Sequence, residues 1–180
     1  VGEPRRLSTG ASRETWTFDA TTSGAGPERL VLRRDPPGLP DPETMAREAA
    51  VLPAARRQGV PVPALVDHGT GGVADGTDGS GLGAPYLITE HVDGETIPRR
   101  LLRGDDYARA RAGLAAELGR VLARIHRVPV GEVPGLPAPD ALDWLTKQCD
   151  EDDEPSPTVE IALRWLYRHR PAPTGDTLVH

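Results

Sequence analysis

The strand-like segments of this sequence lie in its first half, and most helix-like segments lie in its second half. Alternating or compact apolar runs at residues 14–20, 30–34, 60–66 and 85–92 are typical of β-strands. Apolar stripes at helical spacing dominate from residue 106 onward, where Asp106 is predicted to cap a helix that extends to about His126. This order of elements predicts an α+β fold in which an antiparallel-sheet lobe precedes a helical lobe.

One helix is predicted among the strands. Asp41 is a suitable N-cap, and Pro42 suits the first helical position. Pro53 is expected to kink or interrupt this helix, and Gly59 is expected to end it. The prolines within residues 60–66 cannot donate to a strand ladder, so this segment is predicted to be an edge strand.

The charge balance narrows the choice of partners. The 180 residues carry 21 Lys and Arg against 27 Asp and Glu, for a net charge of −6. Such an acidic balance argues against broad binding to nucleic acid or to anionic membranes. Lys147 is the sole lysine. Chemistry that ordinarily uses lysine must therefore use arginine here.

Nothing in the sequence indicates a disulfide framework or an export signal. Cys149 is the sole cysteine, which excludes both an internal disulfide and a metal site built from cysteines. The first residues are polar rather than an apolar signal core, and no apolar run reaches the ~20 residues of a membrane span. We therefore expect a cytoplasmic protein.

Small residues fill a turn before the first long strand. Residues 8–12 read Ser-Thr-Gly-Ala-Ser. Because such a turn has few bulky side chains, its backbone N–H groups can come close to a phosphate. An ordinary hairpin turn is the alternative interpretation.

Glu48 is predicted to pair with an arginine of the sheet. It falls on the apolar stripe of the predicted helix, between Met45 and Leu52, where an unpaired carboxylate is costly. Arg33 on the preceding strand is a natural partner, because a guanidinium can bind a carboxylate through two N–H groups. The alternatives are an Arg33 that faces solvent at the strand end and a Glu48 that reaches water.

The order of these features resembles a known family of kinases. A small-residue turn, a strand, a strand with a basic residue and a helix with an inward glutamate precede a strand pair and a helical lobe. The matching segments are residues 7–16, 30–38, 47–52, 59–63, 84–94, 122–126 and 178–180. The chain resembles the aminoglycoside phosphotransferase-like kinases, which have a protein-kinase-like fold. It is most similar to the branch of kinase domains fused to acyl-CoA dehydrogenases.

The resemblance implies an ATP site with defined residue roles. The loop over the phosphates would consist of Ser8, Thr9, Gly10, Ala11, Ser12 and Arg13. Arg33 would replace the phosphate-contacting lysine, and Glu48 would be its ion-pair partner. The backbone of Glu90, His91 and Val92 would meet the adenine as a hinge.

The same resemblance divides the chain into a nucleotide-binding lobe, residues 1–93, and part of a helical lobe, residues 94–180. Residues 177–179 would be the strand that leads into the catalytic loop, and His180 would be the first residue of that loop. His126 would support the loop or be purely structural. The family's catalytic aspartate, its Mg²⁺-binding asparagine and a later Mg²⁺-binding aspartate would lie beyond residue 180. The expected activity is ATP-dependent transfer of the γ-phosphoryl group to a small-molecule hydroxyl, but this chain alone is expected to be inactive.

Two other readings of the sequence stay open. One is a non-catalytic module that binds a nucleotide or a protein partner, and the other is an α+β domain with no nucleotide site. The acceptor is also open, because the acidic composition suits a cationic molecule whereas the acyl-CoA-related resemblance points to an anionic one.

Overall fold

The computed structural model describes residues 2–7, 13–21, 26–36, 38–71, 82–137, 140–151, 156–172 and 175–179. Residues 8–12 of the predicted phosphate loop, and His180, lie outside these described residues. The chain forms two compact units, which are Val1–Pro134 together with Thr177–His180, and Gly135–Asp176. The predicted lobe boundary between residues 93 and 94 stays a prediction.

The first unit contains a five-stranded antiparallel sheet. Its strands are β1 (Arg5–Leu7), β2 (Glu14–Thr21), β3 (Pro27–Arg34), β4 (Leu65–Gly69) and β5 (Tyr86–Glu90). Their order across the sheet is β1-β2-β3-β5-β4. Together with the helices, this sheet confirms the predicted α+β fold.

The predicted strand at residues 60–66 is placed too early in the chain. The segment does supply an edge strand, but β4 begins only at Leu65. Pro61 and Pro63 lie before it, in irregular backbone. This placement is consistent with proline having no N–H to offer a neighbouring strand.

Helix α1 (Pro42–Arg57) begins where the sequence predicts. Asp41 caps it by accepting a hydrogen bond from the backbone N–H of Thr44 at 3.0 Å. Pro53 does not interrupt the helix, since buried residues on both sides of it, among them Ala49 and Ala54, fix the backbone against the sheet. The chain leaves the helix at Gly59, whose φ of +73° is the left-handed conformation that favours glycine.

The packing of α1 on the sheet forms the main core of this unit. Met45, Ala49 and Leu87 are each about 1% exposed and contact one another, and Leu52 and Leu65 pack against them. Leu87 on β5 lies directly opposite Arg33 on β3. Because residues opposite one another in an antiparallel pair share a face, Arg33 lies on the helix-covered side of the sheet.

Further helices follow the sheet within the first unit. They are α2 (Pro98–Arg103) and α3 (Ala108–Ile125), with short 3-10 turns at Asp105–Tyr107 and Val130–Glu132. The N-cap of α3 is Tyr107, not the predicted Asp106, which belongs to the preceding 3-10 turn. The apolar stripe of α3 is not buried in this structure, since Leu118 is 53% exposed.

The second unit contains α4 (Ala141–Glu151) and α5 (Pro157–Arg168). The hydroxyl of Tyr167 on α5 donates a hydrogen bond to Asp143 on α4 at 2.8 Å. Leu163 is the buried residue of α5, and the Trp165 ring stacks on His169. Within the described parts of both units, no helix is both long enough and apolar enough to span a bilayer.

Candidate active site

The structure brings Arg33 and Glu48 together. The Nη1 atom of Arg33 donates to the Oε1 atom of Glu48, which joins β3 to α1. The Arg33 side chain is 37% exposed and the Glu48 side chain is 29% exposed. The pair therefore lies at the rim of the α1–sheet interface, where a bound molecule can reach Arg33.

A second arginine, Arg13, shares the same carboxylate. Its Nη1 atom donates to the Oε2 atom of Glu48, the oxygen that Arg33 does not use. Its Nε atom donates to the Oδ1 atom of Asp35 at 3.1 Å. The Arg13 side chain is only 15% exposed, so it is held more deeply than Arg33.

Asp35 connects the end of β3 to the start of α1. Its side chain is 3% exposed, and its Oδ2 atom accepts the backbone N–H of Asp41 at 2.7 Å. Its own backbone N–H donates to the carbonyl of Pro85 at 3.0 Å. The carboxylate thus anchors the N-cap of the helix that carries Glu48.

The cap residue Asp41 lies in a field that favours its charged form. Hydrogen bonds from Thr44 hold the pKa of its carboxyl below the usual range, and Arg13 and Arg47 act in the same direction. The Nε atom of Arg47 is buried without a hydrogen-bond partner within the described residues. Cationic groups therefore gather around the first turns of α1.

The neighbouring Arg34 belongs to a different ion pair, on the opposite face of β3. Its Nε atom donates to the Oε2 atom of Glu14 at 3.0 Å, and its Nη1 atom donates to the carbonyl of Leu82 at 2.9 Å. The hydrogen bond from Arg34 lowers the pKa of Glu14, and Arg6 adds a smaller effect of the same sign. Of the two consecutive arginines, only Arg33 joins the Glu48 cluster.

The predicted hinge begins at Glu90, the last residue of β5, and continues into the irregular segment after it. The backbone N–H of Glu90 donates to the carbonyl of Ala64, and that of His91 donates to the carbonyl of Arg29, both at 3.0 Å. No acceptor for the Val92 N–H exists within the described residues. The residue Val92 as a whole is 63% exposed.

A cavity of about 310 Å³ adjoins this hinge. It is lined by Glu28, Arg29, Leu30, Glu90, His91 and Asp93. The pKa of Glu90 is lowered, first by a backbone hydrogen bond at Ala64 and then by Arg56, whose Nη1 atom lies 3.2 Å from the carboxylate. The charged carboxylate of Glu90 thus forms an ion pair with Arg56 of α1.

The segment before His180 is attached to the end of α3. The hydroxyl of Thr177 donates to the carbonyl of His126 at 2.7 Å, and Leu178 is 8% exposed. Residues 177–179, predicted to be a strand, have no regular secondary structure. A β-strand needs a neighbouring strand to form hydrogen bonds with its backbone N–H and C=O groups. This segment is held instead by the Thr177 side-chain hydrogen bond and the buried Leu178.

The described residues contain no group of three or more His, Cys, Asp or Glu side chains that could hold a metal ion. Within this part of the chain, no Mg²⁺ site built from three such side chains can therefore be assigned.

The sequence interpretation missed Arg13 as a partner of Glu48, and missed Asp35 altogether. Arg13 lies 22 residues from Asp35 and 35 residues from Glu48. The available signal was weak: a charged residue directly after a small-residue turn, and an aspartate directly after a strand. Only the register of β2 on β3 brings these positions together.

Comparison with known proteins identifies a matching family and a related protein. Residues 3–180 match the phosphotransferase enzyme family. Acyl-CoA dehydrogenase family member 10 of Mus musculus is 30% identical over 162 residues, which cover 84% of this chain. The chain spans only 14% of the length of that relative.

Proposed function

The chain belongs to the phosphotransferase enzyme family, and we propose that it supplies the nucleotide site of an ATP-dependent kinase acting on a small-molecule hydroxyl. The observation that carries this proposal is the ion pair between Arg33 on the sheet and Glu48 on α1. Phosphoryl transfer needs a cation on the phosphates and an acid that fixes the cation in place. Arg33 and Glu48 meet both requirements.

The phosphates would be bound by Arg33 together with the backbone of residues 8–12. A guanidinium has five N–H donors, and Glu48 takes one N–H of Arg33 in this structure. The remaining donors suit the oxygens of a phosphate chain. Arginine serves here in place of lysine, since the sole lysine, Lys147, lies on α4 in the other unit.

The adenine would lie against the hinge formed by Glu90, His91 and Val92. The N–H groups of Glu90 and His91 are used within the sheet. The Val92 N–H is therefore the proposed donor to the base.

ATP would supply the γ-phosphoryl group, with Mg²⁺ neutralising the charge that develops during transfer. His180 would open the catalytic loop. The aspartate that accepts the substrate's proton and the Asn and Asp that bind Mg²⁺ in this family have no counterpart assigned within these 180 residues. We therefore expect the chain alone to bind nucleotide without turnover. From its composition we also expect it to lie in the cytoplasm and to have no nucleic-acid or membrane partners.

Thermal melting and titration calorimetry with Mg-ATP test this proposal. The 180-residue chain should melt at a higher temperature in saturating Mg-ATP, because a ligand that binds only the folded state stabilises it. Arg33→Met should abolish most of that shift. Arg34→Met is the matched control, because it removes an arginine–carboxylate pair from the opposite face of the same strand.

Equal loss of binding in the two variants, or no response of the parent chain to Mg-ATP, would refute the ATP site. Binding of nucleotide without any transfer, even after fusion to a segment that supplies the base and metal ligands, would favour the non-catalytic module instead.

A further inference from the structure

We infer that Arg13 is a positioning residue for the phosphate site, and that it acts by occupying one oxygen of Glu48. The inference rests on the proposed role of Arg33 as a phosphate contact. It assigns to Arg13 a task distinct from that of the small-residue loop it follows, namely to control the orientation of Arg33.

The geometry of Glu48 carries this inference. Oε1 accepts from Arg33 and Oε2 accepts from Arg13, so each oxygen has a different guanidinium as partner. A carboxylate with both oxygens available commonly binds one arginine through two parallel N–H bonds. Arg13 blocks that arrangement, and Arg33 keeps its other N–H groups for an anion.

Arg13 itself is held in place from its other side. Its Nε atom is bonded to Asp35, and Asp35 is 3% exposed and also bonded to the backbone N–H of Asp41. The side chain of Arg13 is 15% exposed, less than half the 37% of Arg33. Arg13 is therefore the fixed member of the cluster, whereas Arg33 is the accessible one.

The charges of the cluster make orientation decisive. Arg13 and Arg33 are balanced by Asp35 and Glu48, so these four side chains carry no net charge. Affinity for phosphate then depends on which N–H groups point outward, not on an excess of positive charge. Without Arg13, the free Oε2 atom would draw a second N–H of Arg33 into the pair with Glu48.

The test compares the binding of pyrophosphate and of Mg-ATP by calorimetry, well below the melting temperature. Arg13→Met should weaken both ligands roughly tenfold, the effect of about one charge-assisted hydrogen bond. Arg33→Met should weaken them at least as much. The double variant should bind no more weakly than Arg33→Met, because Arg13 acts only through Arg33.

Arg13→Lys guards against a Met variant that fails to fold. Lysine keeps the charge but lacks the planar fork that reaches Glu48 and Asp35 together. Its affinity for pyrophosphate should fall between those of the parent and Arg33→Met. Arg34→Met, on the other face, should bind both ligands as the parent does.

The possible outcomes separate the inference from the proposed function. Unchanged affinity in both Arg13 variants, with only a lower melting temperature, would show a purely structural residue and overturn the inference. Additive losses in the double variant would also overturn it, since Arg13 would then contact the anion itself. If the parent binds pyrophosphate but not Mg-ATP, the proposed function fails while the pyrophosphate series still decides the role of Arg13. If the parent binds neither ligand, both are refuted.

Discussion

Ion pairs around α1 and the sheet join residues far apart in the chain, whereas the ion pairs within α4 and within α5 join residues one helical turn apart. Arg13 and Glu48 are 35 residues apart in the chain, and their side chains are 15% and 29% exposed. Lys147 and Glu151 on α4 are one helical turn apart and are 72% and 58% exposed. The same chain thus contains ion pairs that depend on its tertiary fold and ion pairs that depend only on a helix.

The difference shows where charge can position a ligand. An exposed pair one turn apart contributes little free energy and is loosely held, because water solvates both groups. A largely desolvated pair is costly to break, so its members keep a fixed orientation. Apolar burial follows the same division, since Leu87 on β5 is 1% exposed whereas Trp165 on α5 is 57% exposed.

The largest expected effect is on the core beneath α1. Leu87→Ala should lower the free energy of unfolding by about 3 kcal/mol, because it leaves a cavity beside Met45 and Ala49. Leu166→Ala on α5, where the leucine is 38% exposed, should cost below about 1 kcal/mol. Urea denaturation measures both, and equal losses would show that the two regions are packed alike.

The second-largest expected effect on the free energy of unfolding concerns the buried carboxylate of Asp35. Asp35→Asn should destabilise the chain by about 2 to 3 kcal/mol, since it removes one of the two carboxylates that balance Arg13 and places a neutral amide at a site that is 3% exposed. Glu151→Gln on α4 is the exposed counterpart and should change the free energy of unfolding by less than about 0.5 kcal/mol. Denaturant melts measure both changes, and similar losses of unfolding free energy in the two variants would contradict the distinction between buried and exposed ion pairs.

A smaller effect depends on the hydrogen bond between Thr177 and the carbonyl of His126. Thr177→Val should cost up to about 1 kcal/mol and speed amide hydrogen exchange at residues 175–179. Thr146→Val removes a hydroxyl that bonds within α4 to the carbonyl of Leu142, and it should leave exchange in residues 175–179 unchanged. Unaltered exchange in Thr177→Val would mean that Leu178 alone anchors the segment.

The smallest expected effect is on the pH dependence of stability. The hydrogen bond from Arg34 lowers the pKa of Glu14 in the folded chain, so this carboxylate stabilises the fold above its unfolded pKa of about 4.3. That contribution is lost as the pH falls through the lower folded pKa. Glu14→Gln and Arg34→Met should each flatten the fall in urea midpoint between about pH 5 and pH 3. A parental slope in both variants would refute this assignment.

Local sequence signals predicted much of the sheet region. Asp41 and Pro42 marked the start of α1 correctly, and a carboxylate at position 48 on an apolar stripe pointed to an arginine partner. The α+β fold and the resemblance to the phosphotransferase family, including its acyl-CoA dehydrogenase-linked branch, are confirmed. These features depend on caps, periodicity and motif order, which a single sequence displays.

Features that depend on tertiary contacts escaped prediction. Pro53 was expected to kink or interrupt α1, but the helix continues through it to Arg57, and residues on both sides of it are buried against the rest of the fold. The role of Asp35 depends on where the chain turns after β3, and the second partner of Glu48 depends on strand register. The roles of Glu90, His91 and Val92 as a hinge, and of His180 in catalysis, remain predictions.

Side-chain hydrogen bonds attach helix α1 to neighbouring segments at its start, near its middle and at its end. Asp35 bonds the N–H of Asp41 at its start, two arginines bond Glu48 near its middle, and Arg57 at its end bonds Glu132 at 2.6 Å. The first two attachments are largely buried and costly to break, whereas the Arg57–Glu132 pair is exposed, so the N-terminal half of α1 should keep its orientation. Binding a nucleotide should therefore need little reorganisation of the helix, and the free energy of the new contacts would appear almost entirely as affinity.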